Sequence, residues 1–271
     1  MADGMSLRAR LAAGEAVEAF WFMIGSPALV EIAAEAGPEA VILDAQHGSW
    51  DDRSIAEAAA ILAGRVPLLV RTADTSAAAV TRALDAGAVG VIAPMVETAD
   101  EARAVVAAAR FPPEGRRSGG GVRPLKGDFA AYLDAARAGT VVGVMAETAK
   151  AVENIDAILA VPGIDLLFVG TGDLALSLGT FPHERPEYAA ALATLRAAAA
   201  RAGLACGLYT GTLAEARRRR AEGWAVTVSA SDLGVLAAGF AAAGPAQRDG
   251  ATGSRTASSR PAARRRTSSR S

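Results

Sequence analysis

Apolar residues fall along the chain in short unbroken runs, separated by longer Ala-rich stretches with a helical period. The runs Phe20–Gly25, Ala40–Asp44, Pro67–Arg71, Val89–Ala93, Val141–Ala146, Leu166–Gly170, Leu204–Tyr209 and Ala225–Ser229 predict eight strands. They are continuous rather than alternating, the pattern expected of a parallel sheet buried on both faces. Between them, the segments Ser54–Ala63, Ser76–Ala86, Ala99–Ala109, Ala149–Ala160, Tyr188–Ala202 and Leu213–Glu222 predict helices. Eight strand–helix units in roughly 240 residues predict an α/β chain closed into a single (β/α)8 TIM barrel. An open doubly wound sheet stays possible, because periodicity does not report closure. No G-x-G-x-x-G follows the first strand, so a dinucleotide-binding fold loses support.

Two regions depart from the repeat. The segment Phe111–Asp128 is long and rich in Gly, Arg and Pro; it follows the fourth strand, and a long loop there is expected to be functional or mobile. From Gly244 to Ser271 the chain has no apolar period and is expected to be a disordered basic tail, leaving 1–243 as the barrel. Such a tail could bind an acidic partner, or be an unselected extension.

Composition narrows the function classes. Hydrophobic residues make up 51% of the 271 residues, enough for a large core. The net charge of −1 hides an asymmetry, since the tail carries +6 and the body −7. A mildly acidic body argues against a nucleic-acid-binding surface. The single cysteine, Cys206, sits in an apolar run and is expected to pack in the core. Neither a secretory leader nor a membrane-spanning run is evident, so a soluble cytoplasmic protein with no membrane association is expected.

Reactive groups of such barrels sit at the carboxyl ends of strands. Those ends here are polar: Asp44, Gln46 and His47 after the second strand, Arg71 at the third, Glu147 after the fifth, and Gly170, Thr171, Gly172 and Asp173 at the sixth. Glu147 and Asp173 each precede a helix, so either could be a cap or first-turn acid. Together, with no Cys or His ligand nearby, they suit a hard divalent cation such as Mg2+, Mn2+ or Co2+. His47 is a candidate general base, or an incidental loop residue. Arg71 could merely pair with Asp44 or Asp74, or hold the keto oxygen or carboxylate of an anionic substrate. His183 reads as a surface loop residue, and Arg217–Arg220 as the solvated face of a helix.

At these positions the chain resembles the HpcH/HpaI aldolase family, the class II pyruvate aldolases. The resemblance rests on VILDAQHG around His47, LLVR at Arg71, RALDAGAVGVIAPMVETADEARAVVAAARFPPEGRR, and AETAKAVENIDAILAVPGIDLLFVGTGDLALSLG, and spans about residues 5–242. It implies a barrel of the phosphoenolpyruvate/pyruvate-domain type and a divalent-metal-dependent lyase that cleaves a 4-hydroxy-2-oxo acid to pyruvate and an aldehyde. By the same resemblance His47 matches the general base, Arg71 the transition-state-stabilising arginine, and Asp85 the aspartate that raises the basicity of the histidine. Glu147 and Asp173 match the metal ligands, and the backbone amides of Gly172 and Asp173 the donors to the substrate carboxylate. It further implies a homo-oligomer, a hexamer built from dimers that exchange the last helix, here Asp232–Ala242. No Schiff-base lysine is implied; Lys126 and Lys150 fall in a loop and a helix.

Three features depart from the family pattern. Gln46 stands where D-x-E-H has Glu, Met145 replaces a Gln beside the substrate, and Gly170-Thr171-Gly172-Asp173-Leu174 replaces G-P-A-D-L. Met145 is expected to make the substrate pocket less polar. Two other functions remain open: a CoA-thioester lyase of the malyl or citramalyl type, and a barrel that binds a keto acid or protein partner without turnover.

Overall fold

The computed structural model describes residues 5–182 and 185–244. His183 and the tail beyond residue 244 therefore lie outside the described residues. The chain begins with a short helix α1 (Leu7–Ala12), then alternates: β1 (Val17–Phe22), α2 (Pro27–Ala34), β2 (Ala40–Asp44), α3 (Asp52–Leu62), β3 (Leu68–Arg71), α4 (Ala77–Asp85), β4 (Gly90–Ala93) and α5 (Ala99–Ala109). A 3-10 turn at Pro124–Lys126 and α6 (Phe129–Gly139) come before β5 (Val141–Met145), α7 (Ala149–Glu153) and α8 (Ile155–Leu159). Then follow β6 (Leu166–Val169), α9 (Thr171–Ser177), α10 (Pro186–Ala202), β7 (Ala205–Leu208), α11 (Leu213–Ala221), β8 (Val226–Ser231) and α12 (Asp232–Ala243). All eight strands are parallel, and β8 pairs with β1, so the sheet closes into the expected barrel.

Alternation along each strand explains the unbroken apolar runs. Val41, Leu43, Val70, Val142, Val144 and Leu167 face outward, into a layer shared with the surrounding helices. Ala19, Trp21, Ile42, Leu69, Ile92, Met145, Leu166 and Phe168 face inward and fill the barrel. Leu7 and Leu11 of α1 join this inner cluster and plug the end where the strands begin. Cys206 is buried as expected, in the outer layer, and burial pushes its thiol up to about 12.

Two expectations are corrected. The segment from Phe111 to Asp128 follows α5 rather than β4 directly, so it joins α5 to α6 and lies at the amino ends of the strands, away from the mouth. It is held there by Arg117, whose guanidinium bonds Asp85 and the Tyr132 hydroxyl and lies 4.6 Å from the Phe111 ring. The predicted helix Ala149–Ala160 breaks at Asn154, whose side chain donates to the Glu97 carbonyl at 2.8 Å. The last helix is nearly bare: Asp232 is its one buried residue, while Leu233, Val235 and Phe240 are exposed. Among the described residues no helix is long and apolar enough to cross a membrane.

Candidate active site at the barrel mouth

The inward phase of the strands selects the groups that meet at the mouth. In β2, Ala40 and Ile42 point inward, and the next position of that phase is Asp44. In β3, Leu69 is followed two residues later by Arg71. Val141 and Met145 of β5 are inward, and two residues beyond comes Glu147. Leu166 and Phe168 of β6 lead in the same way to Gly170. The period of two that fills the core thus delivers two carboxylates and a guanidinium to one end of the barrel.

Asp44 and Arg71 form a buried, two-pronged ion pair. Arg71 Nε donates to Asp44 Oδ1 at 2.8 Å, and Nη2 donates to Oδ2. Trp21 Nε1 also donates to Oδ2, at 3.3 Å, and the guanidinium stacks 5.0 Å from the Trp21 ring centroid. The amides of Gln46 and His47 complete the set, donating to Oδ1 at 3.0 and 3.1 Å. Burial works to raise the Asp44 carboxyl, but the bonds and charge of Arg71 outweigh it and hold the group below the usual carboxylate range. No bond among the described residues engages Arg71 Nη1, so the fork keeps one open face.

Glu147 is fully buried, and it is not a helix cap. Thr148 caps α7, its hydroxyl accepting from the Ala151 amide at 3.0 Å. Glu147 Oε1 instead accepts from the Met95 amide at 2.7 Å. Met95 has φ 54, the one positive φ of a non-glycine among the described residues, a strain of about 1–3 kcal/mol held where it presents that amide. The other oxygen, Oε2, is buried without a hydrogen-bond partner. It lies so close to the end of β6 that a Cβ on Gly170 would fall 1.9 Å away. Gly170 opens α9, and Asp173 stands in that helix's first turn. Burial is the main cause that raises the Glu147 carboxyl; the Met95 amide and Arg71 oppose it, while the charges of Asp173 and Asp44 add to it.

An unpartnered, desolvated carboxylate oxygen within the field of a second carboxylate is the environment a hard cation relieves. Among the described residues no group of three or more His, Cys, Asp or Glu side chains is arranged to hold a metal ion. An ion at this site would rest on Glu147 and Asp173 alone among these residue types, leaving positions for water and substrate. The residues present fit a divalent metal.

The remaining predicted residues divide. His47 lies in the turn after β2, exposed at the mouth, its amide fixed by Asp44. Gly172 and Asp173 occupy the first turn of α9, where amides lack helical partners. Met145 is 1% exposed and belongs to the inner cluster, so it forms the floor beneath the site rather than its wall. Asp85 is not brought to His47. It ends α4, which runs from the mouth back to the amino ends of the strands, and there it accepts from Arg117 at 2.7 Å. Trp21, which orients the Asp44–Arg71 pair, carries no charge and so does not stand out among the polar strand ends. The inward phase Val17, Ala19, Trp21 could have found it.

Comparison with known proteins places this geometry in a family. The model of the HpcH/HpaI aldolase/citrate lyase family matches residues 18–238. A hydroxypyruvate/pyruvate aldolase of Rhizorhabdus wittichii is 39% identical over 230 residues, 83% of this chain and 91% of that protein. A 4-hydroxy-2-oxovalerate aldolase of Rhodococcus jostii is 38% identical, over 76% of this chain and 81% of its own length. The crystal structure of an HpcH/HpaI aldolase/citrate lyase family protein from Burkholderia cenocepacia superposes with a TM-score of 0.83 at 34% identity, covering 88% of this chain and 96% of that one.

Proposed function

The chain belongs to the HpcH/HpaI aldolase/citrate lyase family, and from that premise we propose that it is a divalent-metal-dependent aldolase. Its reaction is the reversible cleavage of a 4-hydroxy-2-oxo acid to pyruvate and an aldehyde. The observation that carries the proposal is Glu147 Oε2, buried and unpartnered beside the Gly170 backbone in the field of Asp173. Glu147 and Asp173 would hold Mg2+, Mn2+ or Co2+. Bound there, the ion supplies a Lewis acid that favours negative charge on the keto oxygen of the substrate.

The chain's own residues do the rest. Arg71, pinned by Asp44 and Trp21, turns its open Nη1 toward the oxygen where charge develops. The first-turn amides of Gly172 and Asp173 donate to the substrate carboxylate. In cleavage His47 takes the proton of the 4-hydroxyl; the C3–C4 bond breaks, its electron pair forms the pyruvate enolate, and the aldehyde leaves. In condensation the same imidazole returns the proton. Protonation of C3 completes pyruvate. Asp85 can act on an imidazole only across an interface, since its own chain holds it at the other end of the barrel. The bare apolar α12 supplies a surface for that assembly with a second copy, as a homo-oligomer.

The test is pyruvate release from a panel of 4-hydroxy-2-oxo acids with Mn2+ or Mg2+, then with EDTA. Metal-dependent release that is lost in Glu147→Ala with Asp173→Ala is the expected result. Turnover that persists in EDTA, or survives the double substitution, would refute the metal mechanism.

A further inference from the structure

Backbone support of the His47 turn comes from an unexpected direction. The β1 ladder ends at Phe22, so the amides of Met23 and Ile24 have no strand partner. Both donate instead to the carboxylate of Asp232, Met23 at 3.0 Å to each oxygen and Ile24 at 2.8 Å to Oδ2. The Leu233 amide adds a fourth bond, at 2.8 Å to Oδ1. A single buried carboxylate thus joins the first turn of α12 to the loop after β1. That loop in turn holds the segment after β2: the Ser49 amide donates to the Met23 carbonyl at 2.7 Å, and the Trp50 indole donates to the Phe22 carbonyl at 2.9 Å. The fit is close at both ends. A Cβ on Gly25 would fall 2.4 Å from the Ser49 carbonyl oxygen, and one on Gly48 would fall 2.7 Å from that of Met23. His47 lies between the two anchors of this segment, Asp44 on one side and Ser49 on the other.

We propose that Asp232 is a positioning residue for His47, fixing the turn that carries the imidazole by clamping the Met23–Ile24 backbone against which that turn is bonded. The consequence for turnover rests on the aldolase reading; the mechanical link does not. Asp232 is the one buried residue of a helix that is otherwise bare, so whatever α12 packs against is transmitted through this carboxylate to the mouth. The role differs from capping. Ser231 caps α12, its hydroxyl accepting from the Gly234 amide at 3.1 Å, and makes no bond to the loop.

That difference supplies the control. Asp232→Asn keeps one acceptor oxygen but sets an amide NH2 against a backbone donor and so weakens the clamp, whereas Ser231→Ala removes the cap and leaves the clamp. Hydrogen exchange followed by mass spectrometry on the segment 45–50 should be about tenfold faster in Asp232→Asn and unchanged in Ser231→Ala. Gly25→Ala attacks the same link from the far end and should match Asp232→Asn; it carries the test if the latter does not fold. With the aldol substrate, Asp232→Asn should lower kcat about tenfold while KM and the Mn2+ dissociation constant stay within about twofold, because the Glu147 side is untouched. Added to His47→Asn it should cost nothing further. Unchanged exchange at 45–50 in Asp232→Asn, or equal acceleration in Ser231→Ala, overturns the link. Full additivity with His47→Asn overturns the positioning role. Should the wild-type protein turn over no aldol substrate, the aldolase reading fails by itself and the exchange result still decides the clamp.

Discussion

Replacing Glu147 by Gln should make the metal-free protein more stable and abolish its stabilisation by divalent metal. Glu147 is fully buried; Oε1 is satisfied by the Met95 amide and Oε2 has no partner. An unmet buried acceptor costs about 1–3 kcal/mol, and more when charged. Gln has the same shape, keeps the bond to Met95 and opens no cavity. Its own NH2 is also unpaired, and the attraction between Glu147 and Arg71 is lost, so the net gain is about 1–2 kcal/mol. In a domain of this size each kcal/mol moves the melting temperature by about 2–4 °C, which puts the expected rise at several degrees. Metal should reverse the order, because the wild-type gains about 2.7 kcal/mol at a hundredfold excess over Kd and the variant loses that site. The pH dependence has a defined sign. Burial holds the Glu147 carboxyl above its ordinary 4.5, so its contribution to stability is complete below 4.5 and is lost as pH rises through the raised folded value. The gap between the two metal-free proteins should therefore open above pH 4.5 and close toward it. Thermal melts followed by circular dichroism, after EDTA and dialysis and then across a Mn2+ titration, read all three effects. A metal-free variant less stable than wild-type at pH 7, or one that metal stabilises equally, would refute the reasoning.

Three further outcomes follow from the same geometry. Asp44→Asn leaves the buried Arg71 guanidinium facing an amide and should cost about 3–5 kcal/mol in urea denaturation at pH 7. Since the Asp44 carboxyl is held low, that deficit should shrink as pH falls below 3.8 toward its folded value. Gly170→Ala drives a methyl into Glu147 Oε2 and should weaken Mn2+ binding about 10–100-fold by calorimetric titration, with the melting temperature showing whether the barrel persists. If α12 is the surface through which copies associate, Phe240→Glu, on its bare face, should give a smaller species than wild-type in sedimentation velocity; an unchanged size would refute that role for α12.

Which parts of the fold were legible follows from what each element buries. Segment β2 was bounded correctly at both ends because its apolar run is covered on both faces and then stops at a charge. The helices with a broad buried stripe, such as α5 and α10, were found for the same reason. Helix α6 does carry an apolar period, Phe129, Tyr132, Leu133 and Ala136, but these residues are only half-buried, whereas α9 is seven residues long, too short to show a period. The break at Asn154 is set by a bond to the Glu97 carbonyl, a tertiary contact that no local pattern records. The Gly- and Arg-rich segment lies between two helices, α5 before it and α6 after it, which is what sets it at the amino ends of the strands.

The site divides along a related line. Asp44, Arg71 and Glu147 were legible because each continues the inward alternation of a strand past the end of its apolar run, and that alternation is written in the sequence. Trp21 obeys the same rule, but as an uncharged residue within an apolar run it is not set apart from the core positions beside it. Met95 offers no such signal: its value lies in a positive φ that aims an amide at Glu147, and neighbouring residues do not encode it. Asp85 marks the other limit. Likeness to a family assigns it to His47, but chain direction alone contradicts a contact within one barrel, because every helix that leaves the mouth ends at the opposite face. A residue at the end of α4 can belong to the mouth only of another copy. For such a residue, a family match and a single-chain geometry answer different questions.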